Sequence, residues 1–245
     1  MRTLLACLMV LSVATAAGAA GSAVSYEVNG EPYEGHFVSP AAGAPFVLLV
    51  HDWDGLTDYE VKRAGMLADL GYAVFAADLF GAGVRPAKVE DRRRLTSALY
   101  GNREKMRTLL YGAVEAAKAL GADVKNGVAM GYCFGGTAVL ELARSGADLK
   151  GFVTFHGGLE TPEGQDYART RGCLLVFHGT ADTSVTMDHF AALAGELEAE
   201  EIPHEMITYG GAPHAFTVFG TDRYREDADR KSWERFRAFL DETLR

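Results

Sequence analysis

Short, continuous apolar runs punctuate this chain: Phe46-Val47-Leu48-Leu49-Val50, Tyr72 to Asp78, Gly127-Val128-Ala129-Met130, Gly151 to Phe155, Cys173 to His178 and Glu205 to Tyr209. Runs of this length without polar alternation predict strands buried on both faces. Longer stretches with helical spacing lie between them. Thr57 or Asp58 caps one through Leu70, closed by Gly71; others span Asn102 to Leu120 and Met187 to Glu200. A last one, Arg223 to Leu244, spaces Trp233, Phe236, Phe239 and Leu240 on one helical face. Near the start, Val24 to Val28 and Tyr33 to Val38 alternate around Asn29-Gly30, the signature of a hairpin at a sheet edge. Leu79 to Pro86 reads as a glycine-rich loop, Lys88 to Arg94 as a charged stretch and Leu159 to Arg171 as a polar loop. Strand and helix alternate throughout. The expected architecture is α/β: a mostly parallel sheet of about eight strands with helices on both faces. No repeat or linker divides residues 20–245, which are expected to form one domain.

The beginning of the chain breaks this pattern. Arg2 precedes the apolar run Leu4 to Val13, and small residues with an Ala-x-Ala site, Ala17-Gly18-Ala19, follow. This predicts a secretory signal over residues 1–19 and a periplasmic or secreted product. No later stretch is long and apolar enough to span a membrane. Of 245 residues, 48% are hydrophobic and 23% charged, as in an ordinary globular protein, and the net charge of −9 argues against nucleic acid as a partner. Cys7 belongs to the leader, leaving Cys133 and Cys173. They fall at opposite ends of parallel strands, roughly 15–20 Å apart, which is beyond disulfide reach. Nothing points to a cofactor. The histidines are scattered, without the short spacings that hold metals.

Chemistry concentrates where strands end. Gly131-Tyr132-Cys133-Phe134-Gly135-Gly136 joins a strand to a helix, the context of a nucleophile elbow with cysteine in place of serine. The glycines fit sterically, because so sharp a turn leaves no room for side chains beside the nucleophile. Further polar residues follow other strands: His51, Asp52 and Trp53, then His156, His178, Asp182 and His214. In open α/β sheets, ligands bind beyond those strand ends. Cys133, Asp182 and His214 stand in the order nucleophile, acid, histidine expected of an α/β-hydrolase.

Three segments together resemble the dienelactone hydrolase family: the cysteine elbow around Cys133, the acid loop His178-Gly179-Thr180-Ala181-Asp182 and the histidine loop Gly211-Ala212-Pro213-His214-Ala215-Phe216. The resemblance covers nearly all of the chain after the leader. It implies an α/β-hydrolase that cleaves small esters or lactones. Cys133 would attack the carbonyl, His214 would act as base and Asp182 would orient it. The backbone N–H groups of Trp53 and Phe134 would form the oxyanion hole. Asp52 falls where the family carries an acidic residue, usually glutamate, near the cysteine; it either contacts Cys133 or braces its own loop. The founding members bind a substrate carboxylate through arginines, one of them just after the catalytic histidine. Here that segment is Ala215-Phe216-Thr217-Val218, so dienelactone does not carry over as the substrate. His156, His178 and Phe216 are candidates to touch substrate, and His51 reads as loop packing. The expected partner is a small molecule, met by a monomer or small homo-oligomer. A non-hydrolytic thiol sensor, redox protein or binding protein on the same fold is the second reading.

Overall fold

The computed structural model describes residues 21–245. The expected leader lies outside the described residues. At Asn29-Gly30 both residues take positive φ, 53° and 80°, as a tight primed turn between twisted strands requires. This turn joins β1 (Ser22–Val28) to β2 (Glu31–Val38) as an antiparallel pair. The remaining strands are β3 (Pro45–Val50), β4 (Ala73–Ala77), β5 (Asp123–Tyr132), β6 (Gly151–Phe155), β7 (Cys173–Gly179) and β8 (His204–Tyr209). They form one eight-stranded sheet in the order β1-β2-β4-β3-β5-β6-β7-β8. β2 also runs antiparallel to β4, and every pairing from β4 to β8 is parallel.

The helices are α1 (Asp58–Ala68), α2 (Val89–Tyr100), α3 (Arg103–Ala119), α4 (Phe134–Arg144), α5 (Met187–Ala199) and α6 (Glu226–Leu244). Side chains of a strand point alternately to the two faces, and β3 shows the result. Phe46, Leu48 and Val50 enter a core with Met106 and Leu110 of α3, Val139 and Leu142 of α4, and Leu193 of α5. Val47 and Leu49 enter the opposite core with Leu67 of α1 and Phe236, Phe239 and Leu240 of α6. The continuous apolar runs are therefore strands covered on both sides. α4 is buried along its whole length, so its first residues are held rigidly against the sheet.

The structure differs from the expected elements at three places. α2 occupies what reads as a charged stretch; it lacks a side-chain cap and buries only Thr96 and Leu99. β5 begins at Asp123, before the apolar run, because the chain pairs with β3 through an irregular register at Pro45/Phe46. α6 starts at Glu226, three acidic residues crowding its first turn, where they favour the positive end of the helix dipole. Cys133 and Cys173 are both free. No described helix is long and apolar enough to cross a membrane.

Candidate active site

The parallel strands all deliver their loops to one edge of the sheet. At the end of β5, Cys133 adopts φ 51° and ψ −113°, a conformation that costs on the order of 1–3 kcal/mol outside glycine. The surrounding backbone over-determines it. A methyl group at Gly131 would collide with the backbone of Gly135, and one at Gly135 would collide with the carbonyl oxygens of Val50 and His51. The start of α4 is thus packed directly on the end of β3. Cys133 is held there by its own N–H, which donates to Phe155 O at 3.0 Å, and by its carbonyl, which accepts from Thr137 N at 3.2 Å.

The loop after β8 brings His214 above this turn. Its Nε2 lies 3.0 Å from Cys133 Sγ. Its Nδ1 donates to Asp182 Oδ2 at 2.7 Å. The other carboxylate oxygen of Asp182 accepts from the N–H groups of Ser184 and Val185, at 2.8 and 2.9 Å. Burial works against the Asp182 charge, but the His214 hydrogen bond and those two amides outweigh it and lower its pKa. Burial likewise opposes a charged His214. The hydrogen bonds to Asp182 and Cys133 override it and push the imidazole up to about 10.

Two amides face the same edge. Among the described residues, neither Trp53 N–H nor Phe134 N–H has a protein acceptor. Asp52 is buried and turned into its own loop, where its Oδ1 accepts from Asp54 N at 3.2 Å. It makes no hydrogen bond to Cys133 among the described residues. Burial first, then its contacts with Asp54 and nearby Glu60, push its carboxyl to about 10. The loop-bracing alternative is the one seen.

The remaining sequence candidates lie beneath the site rather than in it. His156, His178 and Phe216 are fully buried and present no surface to a substrate. A residue just past a strand end can turn under the loops as easily as over them. His156 does so with φ 43°, its ring 5.4 Å from that of His214 and 5.4 Å from that of Phe216. His178 stacks on Phe190 at 5.6 Å. No group of three or more His, Cys, Asp or Glu among the described residues is placed to hold a metal ion.

His156 belongs to a clamp on the His214 loop. Its Nε2 meets Thr217 Oγ1 at 2.8 Å, and the same hydroxyl meets Tyr59 Oη at 2.8 Å. Arg63 donates to Thr217 O at 3.0 Å and pairs with Asp229 of α6. Thr217→Val keeps the shape and leaves the buried His156 Nε2 without its partner, while Tyr59 Oη keeps Thr217 O at 3.2 Å and Arg63 Nε at 3.3 Å. It is expected to cost about 1–3 kcal/mol of stability by urea denaturation. Through the loosened His214 it is expected to lower kcat roughly 10-fold at unchanged KM. An unaltered kcat would release Thr217 from any part in placing His214.

α2 supplies what the sequence reading missed. The Tyr100 ring lies 5.5 Å from that of Phe134. Burial, and then its nearness to Cys133, push its phenol up to about 12. Arg92 sits over the Trp53 ring at 5.3 Å and 3.6 Å from Asp54. Leu95 and Leu99, four apart and just before the Asn102 cap, are the apolar pair at helical spacing that points to this helix.

Residues 34–244 match the sequence profile of the dienelactone hydrolase family. The chain is similar to protein usf of Aquifex pyrophilus, 26% identical over 232 residues that cover 91% of this chain and 99% of that protein. Among solved structures, m3DLH superposes with a TM-score of 0.87 at 33% identity, over 93% of this chain and 100% of that one. A dienelactone hydrolase-like promiscuous phosphotriesterase from metagenomic libraries gives 0.86 at 31% identity, again over 93% and 100%. With its mostly parallel eight-stranded sheet and a family match across nearly all described residues, the chain belongs to the dienelactone hydrolase family of α/β-hydrolases and is a hydrolase acting on ester bonds.

Proposed function

We propose that the enzyme hydrolyses small carboxylic esters or lactones through a Cys133–His214–Asp182 triad and an acyl-cysteine intermediate. The observation that carries this reading is the continuous line from Cys133 Sγ through His214 to Asp182, at 3.0 and 2.7 Å. His214 holds the proton that the thiol gives up, and the sulfur attacks the carbonyl carbon. Negative charge then develops on the carbonyl oxygen, where the amides of Trp53 and Phe134 receive it. Collapse expels the alcohol, which takes its proton from His214. Water, deprotonated by His214, releases the acid and restores the thiol. Asp182 keeps the imidazole in the tautomer that both halves need. The experiment is a hydrolysis screen over lactones, short acyl esters and thioesters. A phosphotriester belongs in the panel because the metagenomic relative is a promiscuous phosphotriesterase. Mass spectrometry of the quenched enzyme should find an acyl group on Cys133. Turnover with no acylated Cys133 at any time point would refute the intermediate.

The pH profile follows from His214. Because its pKa is raised to about 10, the proton needed by the leaving group stays in place through neutral pH and is lost only as pH rises through that value. kcat/KM is expected to hold between neutral pH and about 9 and to fall above it. Asp182→Asn removes the first of the interactions that raise the imidazole, so the fall should move to lower pH. An alkaline limb at the same pH in both enzymes would argue against this assignment.

A further inference from the structure

We propose that His51 is a positioning residue that sets the oxyanion hole by fixing the Asp52–Trp53 peptide. The inference rests on reading the Trp53 amide as an oxyanion donor. Leu79 N–H, an obligate donor, gives its proton to His51 Nε2 at 3.1 Å. In a neutral imidazole the other nitrogen must then carry hydrogen, and Nδ1 lies 2.6 Å from Asp52 O. The tautomer is therefore settled by the backbone: Nδ1–H donates to Asp52 C=O. That carbonyl belongs to the peptide whose N–H is Trp53's. In a planar trans peptide the C=O and N–H point in opposite directions. Pinning the oxygen toward His51 aims the Trp53 N–H away from it, and polarising the carbonyl strengthens the amide as a donor.

His51 reaches the other donor as well. Its ring stacks on Phe134 with centroids 5.8 Å apart and 27° between planes, and packs on Phe80 at 4.6 Å. The side chain is fully buried, and burial lowers its pKa, so the neutral form that accepts from Leu79 persists. One side chain thus ties together the end of β4, the loop after β3 and the first residue of α4.

Two substitutions separate its two bonds. His51→Gln can accept from Leu79 N–H and loses the donor to Asp52 O; His51→Asn places an amide near the Nδ1 position and gives up Leu79. Two readouts separate the oxyanion hole from the thiol. Ester turnover needs stabilised negative charge on oxygen, whereas alkylation of Cys133 by iodoacetamide, followed by peptide mass mapping, displaces iodide without forming an oxyanion. His51→Gln is expected to lower kcat about 10–100-fold, with KM and the Cys133 alkylation rate unchanged, and His51→Asn to retain more turnover. Unchanged turnover in His51→Gln, or alkylation falling in step with turnover in both variants, would overturn the proposal. Failure of the triad itself would look different: Cys133→Ala would then turn over substrate as well as the wild type.

Discussion

Cys133→Ala is expected to lower kcat/KM for any ester substrate by roughly 10⁴–10⁶-fold, the range seen when a triad nucleophile is deleted. The size of the effect follows from the division of labour at the elbow. In the proposed mechanism Cys133 supplies the attacking atom, and among the described residues no other nucleophile is hydrogen-bonded to His214 Nε2. Asp182 and His214 would remain paired at the far nitrogen. The fold should be little disturbed, because the backbone at residue 133 is held by Phe155 O and Thr137 N and by the glycines around it rather than by the thiol. Melting temperature should change by only a few degrees while turnover disappears. Cys133→Ser is expected to retain more than the alanine variant but far less than the wild type, since a hydroxyl does not ionise beside His214 at neutral pH. Steady-state kinetics on the best substrate from the screen decides it. A residual rate within 10-fold of wild type in the alanine variant would leave Cys133 without a catalytic role.

Gly135→Ala should produce the opposite dissociation: a large loss of stability from one methyl group. At this position the neighbours are the main-chain carbonyls of Val50 and His51, which have no rotamer to give. The methyl must push α4 away from β3, and α4 is buried along its length, so the displacement spreads through the core that α4 shares with α3 and α5. A cost of roughly 3 kcal/mol or more in unfolding free energy is expected. Any folded fraction should also be a poor catalyst, because the same shift moves the Phe134 amide away from that of Trp53. Urea denaturation and kcat on the folded fraction read the two effects. A change below about 0.5 kcal/mol, the usual range for surface substitutions, would mean the contact between α4 and β3 is softer than described.

The sheet and the grouping of Cys133, His214 and Asp182 were legible because each left a pattern that physics makes hard to imitate. A strand buried on both faces is apolar nearly throughout, and β3, β4, β6 and β7 are, with Thr154 and His178 the buried polar exceptions. A nucleophile on a sharp turn needs residues without side chains around it, and Gly131, Gly135 and Gly136 mark it. What was not legible was depth. His156, His178 and Phe216 stand at the strand ends just as Cys133 does, yet all three are fully buried. Chain position alone does not say whether a loop residue turns up or down. α2 was hidden for a different reason. With Thr96 and Leu99 as its only buried residues, it has almost no apolar stripe, and its charges resemble a solvated loop. Tyr100 went unseen with it, and Arg92 was one of several candidate arginines that the sequence could not place. His51 read as packing because its hydrogen-bond partners are backbone atoms, which no side-chain pattern reports.

The thin attachment of α2 has an evolutionary and practical consequence. The nucleophile and its base ride on a helix and loops locked into both cores, where almost any exchange is penalised. Tyr100, beside the nucleophile, and Arg92, over Trp53, ride on a segment whose replacement would forfeit little buried area. If Tyr100 and Arg92 meet the substrate, recognition and chemistry sit on separable segments of this chain. Libraries confined to Val89–Tyr100 can diversify the former while inheriting the latter intact.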